Sequence, residues 1–295
     1  MILYNMGHMQ IIHMNKINVF GNGFIGQEFC AQNKKSVVIN KREDYYPQTN
    51  KILFFISTVD NYNVFSNPYI DIETNLLVLM EVLENCRAQF QDDFEFNFIS
   101  SWFVYGDTDL PAKENSACNP KGFYSITKRA AEQMLISYCD TFKIPYRILR
   151  MANVLGPLDK KTSAKKNALQ YMIQRMIKNE DLKLYYNGEF YRDYIDVRDA
   201  ARAIGLVIEH GNLNEIYNIG NNKGLKFYDI FKYAYGKTES ISNIDVIENM
   251  EFHNAVQVRS MYLDNSKLIG LRYAPKYSIY DTLDHIIEEY KEALE

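Results

Sequence analysis

KINVFGNGFIGQEFCAQ, residues 16–32, reads as a strand, a glycine turn and a helix. Ile17, Val19 and Phe20 make a short apolar strand that runs into Gly21-Asn-Gly23-Phe24-Ile25-Gly26. Gly21 permits a tight turn, and Gly23 lets backbone N–H groups approach a pyrophosphate at the helix N-terminus. Phe24 and Ile25 belong to the same cofactor-binding turn, and Gly26 lets the helix pack close to the strand. GxGxxG alone is a frequent coincidence whose bland reading is a Gly-rich turn. Its strand–turn–helix setting is what points to a dinucleotide.

Outward from that stretch, strands and helices alternate. SVVIN (36–40) and KILFFIS (51–57) read as further strands, and in FEFNFISS (94–101) Phe94, Phe96 and Phe98 alternate with polar residues. TNLLVLMEVLENC (74–86) reads as a helix capped by Thr74. Its apolar residues leave almost no polar face, as in a helix buried on both sides. YSITKRAAEQMLISYC (124–139) has no Pro or Gly and reads as another helix. The alternation predicts a parallel sheet covered on both faces. After about residue 155 the pattern loosens into helical SAKKNALQYMIQRMIKN, strand DLKLYY and helix VRDAARAIGLVIEH. With no repeats and no Pro-rich linker, the two parts are expected to interleave.

Three residues carry the chemistry. Tyr124 and Lys128 stand four apart and share a helix face. An ammonium one turn away favours the phenolate, so the Tyr124 pKa is expected to fall toward working pH, as suits a general acid/base. Ser101 ends its strand at the carboxyl edge, where α/β sheets bind ligands. Singly, these residues read as a packed aromatic, a solvated charge and a strand-end cap. In this order, downstream of the glycine turn, they read as a catalytic set.

Together they resemble the extended short-chain dehydrogenase/reductase family, in its NAD-dependent nucleotide-sugar epimerase/dehydratase branch. ISSWFVYG (99–106) is similar to that family's serine-strand segment, and GFYSITKRAAEQ (122–133) to its Tyr-Lys helix. RILRMANVLGP (147–157), YNGEFYRDYIDVRDAARAI (186–204) and IYNIG (216–220) resemble later segments in the right order. The resemblance implies an α/β fold, a Rossmann-type doubly wound parallel sheet with a smaller, interleaved C-terminal substrate-binding part. It divides the chain into an N-terminal extension (1–15), a dinucleotide-binding domain (16–155) and a mainly substrate-binding part (156–295) that returns to the sheet. Tyr124 would exchange a proton with a sugar hydroxyl, Ser101 would hydrogen-bond the reacting oxygen, and Lys128 would also hold the nicotinamide ribose. Asn75 matches a position near the cofactor, Asn153 a substrate contact and Arg192 a nucleotide-phosphate contact; an Arg before Asp-Tyr reads equally as a surface ion pair. A homodimer through helices 74–86 and 124–139 is implied as well.

Two departures from the family pattern matter. Members that bind NAD usually end the second strand in Asp, whereas SVVINKRED places Lys41 and Arg42 there. A basic pair favours a 2′-phosphate, hence NADP over NAD, although Glu43 or Asp44 could swing in. Sugar 4,6-dehydratases carry Asp-Glu directly after the active-site Ser or Thr. Trp102 and Phe103 stand here and cannot transfer that proton, so a 4,6-dehydratase is not expected unless a carboxylate such as Glu114 substitutes. The function expected is an NAD(P)-dependent nucleotide-sugar epimerase or ketosugar reductase. Alternatives are an NADP-dependent reductase of a non-sugar ketone or aldehyde, or a non-catalytic cofactor sensor on the same fold.

Bulk properties agree. The 295 residues suffice for one such domain and a smaller part. Net charge is −4, from 33 basic and 37 acidic residues without a basic block, so nucleic acid is not an expected partner. The 4 cysteines and 5 histidines show no metal-ligand spacing, and the cysteines read as reduced thiols of a cytoplasmic protein. No apolar run approaches the ~20 residues of a membrane span. MILYNMGHMQIIHM lacks the regions of a signal peptide and reads as an extension before the first strand.

Overall fold

The computed structural model describes residues 16–293 except 61, 158, 160, 161, 164, 165, 249–255 and 257. The expected N-terminal extension, residues 1–15, lies outside the described residues. Six strands form one sheet: β1 (Ile17–Phe20), β2 (Val37–Ile39), β3 (Lys51–Phe54), β4 (Glu95–Ser101), β5 (Tyr146–Met151) and, after four short strands outside this sheet, β10 (Glu215–Ile219). Their order is β10-β5-β4-β3-β1-β2, and every pairing is parallel. The chain leaves β1 toward β2 on one side and then crosses to β3 on the other. That reversal opens a crevice beyond the carboxyl ends of β1 and β3.

Strand alternation divides the core. Val19, Leu53, Ile99, Leu149 and Ile219 face one apolar layer with Phe29 of helix α1 (Phe24–Gln32) and Ala200, Ala203, Ile204 and Val207 of α6 (Val197–His210). Phe20, Ile52, Phe54, Phe96, Phe98 and Ile148 face a second layer with α3 (Val78–Phe90) and α4 (Phe123–Phe142). A third cluster joins α5 (Ala168–Ile177), β7 (Leu182–Tyr185), α7 (Phe227–Thr238) and the closing helix Ile279–Glu292. Residues 197–219 return to the main sheet as α6 and β10, so the two parts interleave in the chain.

The expected helix 74–86 is part of a longer one. It begins at α2 (Tyr69–Ile72), passes through a π turn at Glu73–Leu77 and continues as α3. Thr74 therefore sits mid-helix and caps nothing. Only one face is buried, through Leu79, Val82, Leu83 and Cys86, while Leu77 is exposed. The expected helix beginning near Ser163 starts at Ala168, because Asn167 adopts a left-handed conformation (φ 52°) that ends the preceding loop.

One buried charge network ties α4 to β4 and β5. Glu132 accepts from Arg150 Nε at 3.0 Å and Nη2 at 2.8 Å, from Ser100 Oγ at 2.6 Å and from Arg129 Nη1 at 2.7 Å. The Arg150 guanidinium also lies 4.6 Å from the Tyr105 ring. Removing one partner of such a pair strands the other charge in the core. Glu132→Ala is therefore expected to lose about 3–5 kcal/mol of unfolding free energy, read from urea denaturation.

Candidate active site

All six strands of the main sheet run the same way, so their carboxyl ends share one edge, where a cleft of about 1250 Å³ opens. The glycine turn forms one wall. Gly21 has φ +94°, and a Cβ there would come within 3.0 Å of the Ile56 backbone nitrogen. A Cβ on Gly26 would sit 2.4 Å from the Gly21 carbonyl oxygen, so helix and strand can approach this closely only with glycine at both positions. At Gly23 a Cβ would meet nothing within 4 Å, and the backbone there faces open space. The first intrahelical bond of α1 is Gln27 N–H to the Gly23 carbonyl, at 2.8 Å. The amides of Phe24, Ile25 and Gly26 precede it at the positive end of the helix dipole, an arrangement that fits a diphosphate.

Ser101, Tyr124 and Lys128 all line this cleft. Ser101 closes β4 and accepts from the Phe103 backbone N–H at 3.3 Å, while the first turn of α4 supplies Tyr124. Ser57 lines the same cleft as Tyr124 and Ser101. Burial raises the Tyr124 pKa above the ordinary value, opposed by those two serines and reinforced by Asp71. The expected lowering by Lys128 is not present in this state, because burial brings Lys128 itself down to about 7 against the pull of Glu132. Its ammonium lies 4.3 Å from the Phe98 ring centroid.

Ser57, beyond the end of β3, went unnoticed in the sequence. The available signal was a hydroxyl just past an apolar strand, as at Ser101 on the neighbouring strand. Asn75, in contrast, does not line the cleft. Its Oδ1 accepts from Ser57 Oγ and Thr58 N–H, both at 3.0 Å. Its Nδ2 donates to Thr58 Oγ1 at 2.9 Å and Thr127 Oγ1 at 3.1 Å. The π turn places Asn75 where it fixes the Ser57 loop against α4, a frequent position for such turns at functional sites. Lys41 and Arg42 follow β2, are exposed and do not line the cleft; Arg42 lies 3.6 Å from Glu43.

Asn153 lines the cleft and donates through Nδ2 to the Asp193 carbonyl at 2.9 Å. Arg192 lines it as well. Among the described residues its guanidinium donates only to carbonyls, those of Tyr191 (3.0 Å), Arg259 (2.6 Å) and Val258 (3.1 Å). The Asp193 carboxylate turns away from it and accepts from the backbone N–H groups of Asn221 (2.9 Å) and Leu263 (3.3 Å). Among the described residues no carboxylate pairs with Arg192, and burial brings its pKa down to about 10. A guanidinium held this way favours an arriving anion such as phosphate.

Trp102 and Phe103 form a short turn after Ser101 and stack on each other at 3.8 Å. Phe103 meets the Tyr124 ring edge-on at 5.8 Å. Glu114 does not line the cleft; its carboxylate accepts from the Asn218 backbone N–H at 2.9 Å.

A glycine turn fitted to a diphosphate at the carboxyl edge of a doubly wound parallel sheet has the form of a dinucleotide-binding α/β protein. The sequence profile of the NAD dependent epimerase/dehydratase family matches residues 56–220, more than half of the chain, and the protein belongs to that family. It is 29% identical over 231 residues to a putative UDP-glucose 4-epimerase of Methanocaldococcus jannaschii, covering 76% of this chain and 72% of that one. It is also 26% identical over 252 residues to an Arabidopsis thaliana protein named trifunctional UDP-glucose 4,6-dehydratase, UDP-4-keto-6-deoxy-D-glucose 3,5-epimerase and UDP-4-keto-L-rhamnose reductase. That match covers 83% of this chain but 36% of the plant protein. A crystal structure of UDP-glucose 4-epimerase from Thermotoga maritima with UDP-glucose superposes with a TM-score of 0.83 at 23% identity, covering 95% of this chain and 100% of that one. Among the described residues no helix is long and apolar enough to cross a membrane.

The Lys128 environment has a consequence for stability. In the unfolded chain Lys128 holds its proton to about its ordinary 10.5, but in the fold only to about 7. Between these values the unfolded chain binds more protons, so this residue's contribution to stability improves as pH rises from 7 toward 10.5, and its full penalty is present below 7. Lys128→Met is expected to raise the thermal midpoint of the ligand-free protein at pH 7, with the gain shrinking toward pH 10.5. Calorimetric scans across that range check it.

Proposed function

We propose that this protein is an NADPH-dependent ketosugar reductase acting at C4 of a nucleotide sugar. The observation that carries the reading is the buried Tyr124 phenol, which lines one cleft with Ser101, the glycine turn and Arg192. Bound nicotinamide supplies the hydride that C4 gains, so ketone and NADPH become carbinol and NADP+. Tyr124 gives the ketone oxygen its proton, and Ser101 donates to that oxygen as charge develops on it. Lys128, one turn along α4, favours the Tyr124 phenolate when protonated. Gly23 and the amides after it hold the cofactor diphosphate, Arg192 receives the sugar-nucleotide phosphate, and Asn153 borders the sugar.

The same residues run in reverse would serve a 4-epimerase, a second reading favoured by the relatives of that name. Trp102 and Phe103 stand against 4,6-dehydration: an indole N–H and a hydrocarbon ring cannot exchange a proton near neutral pH. Exposed Leu77 and Ile126, on the outer sides of the π turn and α4, support a homodimer, which the mass in solution checks. The position of Lys41 and Arg42 after β2 supports a 2′-phosphate and hence NADP.

Tyr124→Phe should retain cofactor affinity and lower turnover by about 10² or more, since it deletes the proton donor. Wild-type turnover by that variant on a nucleotide ketosugar would end the mechanism, and steady formation of a 4-keto-6-deoxy product from a nucleotide hexose would end the exclusion of dehydration. Lys41→Ala/Arg42→Ala should weaken NADP binding selectively in calorimetry. Equal losses for NAD and NADP, or a wild type that prefers NAD, would remove the NADP assignment.

A further inference from the structure

We propose that Asp193 is a positioning residue that, as a carboxylate, keeps the Arg192 guanidinium in place for the phosphates of the nucleotide sugar, so that the protein releases this ligand as the pH falls below neutral. The proposal rests on the nucleotide-sugar reading above. Arg192 is held by the carbonyls of Val258 and Arg259, at 3.1 and 2.6 Å. The same stretch of chain runs on to Leu263, whose backbone N–H donates to the Asp193 carboxylate at 3.3 Å. The carboxylate therefore pins the far end of the segment whose near end holds the guanidinium. It also accepts from the Asn221 N–H at 2.9 Å, and a Cβ on Gly220 would come within 2.5 Å of it, so the end of β10 packs directly on the acid. The Asp193 carbonyl meanwhile accepts from the Asn153 N–H at 3.1 Å and from its Nδ2 at 2.9 Å. One residue thus joins the segments that carry Arg192 and Asn153.

Asp193 is 1% exposed, and among the described residues no cation forms an ion pair with it. The charged and titratable groups around it are all engaged elsewhere or neutral. Arg192 is occupied by carbonyls, and Arg259 donates to the Glu189 carbonyl at 3.2 Å and lies 4.8 Å from the Tyr186 ring. Asp264 accepts from the Ser266 N–H at 2.8 Å, Lys223 is exposed, and Tyr194 packs in the third apolar cluster. Tyr273 stays a neutral phenol, its pKa raised by burial and then by the charges of Asp199 and Asp193, while Arg202 pairs with Asp199 at 3.0 Å. With backbone N–H groups as partners and no cation, burial carries the Asp193 pKa up to about 7. Protonation places an O–H where a backbone N–H needs an acceptor, which frees the 258–263 segment and with it the carbonyls that aim the guanidinium. Because the binding-competent form is the carboxylate, affinity is full above about pH 7 and falls below it.

The test is calorimetric titration of the full chain with UDP-, dTDP- and GDP-hexoses, NADP+ being present throughout and the tightest binder being carried through. Their diphosphates keep one charge between about pH 5.5 and 8. Lys128 titrates in the same range, so the titrations are made on Lys128→Met and on Lys128→Met/Asp193→Asn. In Lys128→Met the dissociation constant should rise by up to about thirtyfold from pH 8 to pH 5.5, as the carboxylate form of a group near 7 is lost. Heats in buffers of different ionisation enthalpy should show protons released on binding. Adding Asp193→Asn should flatten the pH dependence and leave NADP+ affinity unchanged. Proton uptake or no proton change in Lys128→Met, or a pH dependence that survives Asp193→Asn, overturns the role of Asp193 and leaves the nucleotide-sugar reading standing. If the Asn variant does not fold, the proton count on Lys128→Met decides alone. Failure of every nucleotide sugar to bind at either pH removes that reading and this inference with it.

Discussion

Parallel pairing is the constraint on which the rest of this molecule depends. Because β1, β3, β4 and β5 run in one direction and in register, residues far apart in the chain finish at one edge. Gly21, Ser57, Ser101 and Asn153 each lie at or just beyond a carboxyl end and all line one cleft. Antiparallel pairing of any one of these strands would send its functional residue to the opposite edge. The order of the strands adds the second condition, since the crossover from β2 to β3 opens the crevice beside the glycine turn.

Charge is distributed unusually around that cleft. Arg150 is buried and fully compensated by Glu132, an arrangement that fixes α4 against the sheet. Lys128, one turn before Glu132 on the same helix, is equally buried, and among the described residues it has the Phe98 ring and the pull of the Glu132 carboxylate but no salt bridge of its own. Among the described residues Arg192 has carbonyls and rings alone. Glu132 thus anchors the structure, while the other two cations are left under-compensated at a site whose proposed ligands are anionic. The free protein bears the desolvation of these cations, a cost that bound phosphate or phenolate would offset.

Aromatic rings decide what else the cleft accepts. Trp102 and Phe103 occupy positions directly after the strand-end serine, so their presence was readable from the sequence. Their mutual stacking, and the closeness of one ring to Tyr124 and the other to Arg192, were not. Those contacts join three segments of chain separated by more than twenty residues each, and only the folded packing brings them into one wall.

The sequence determined much of the architecture by local means. The glycine turn, the alternating strand pattern and helix 197–210 rest on periodicity and backbone freedom within a few residues, and the structure contains each of them. The spacing of Tyr124 and Lys128 likewise put both on one helix. Tertiary structure decided what depends on surroundings. Thr74 lies in a π turn because the helix begins earlier than its apolar run, and that turn directs Asn75 to the Ser57 loop instead of the cleft. The Tyr124 pKa moves up, not down, because burial of both phenol and ammonium outweighs their spacing along the helix. Burial is a property of everything packed around a residue, which no pattern along the chain contains.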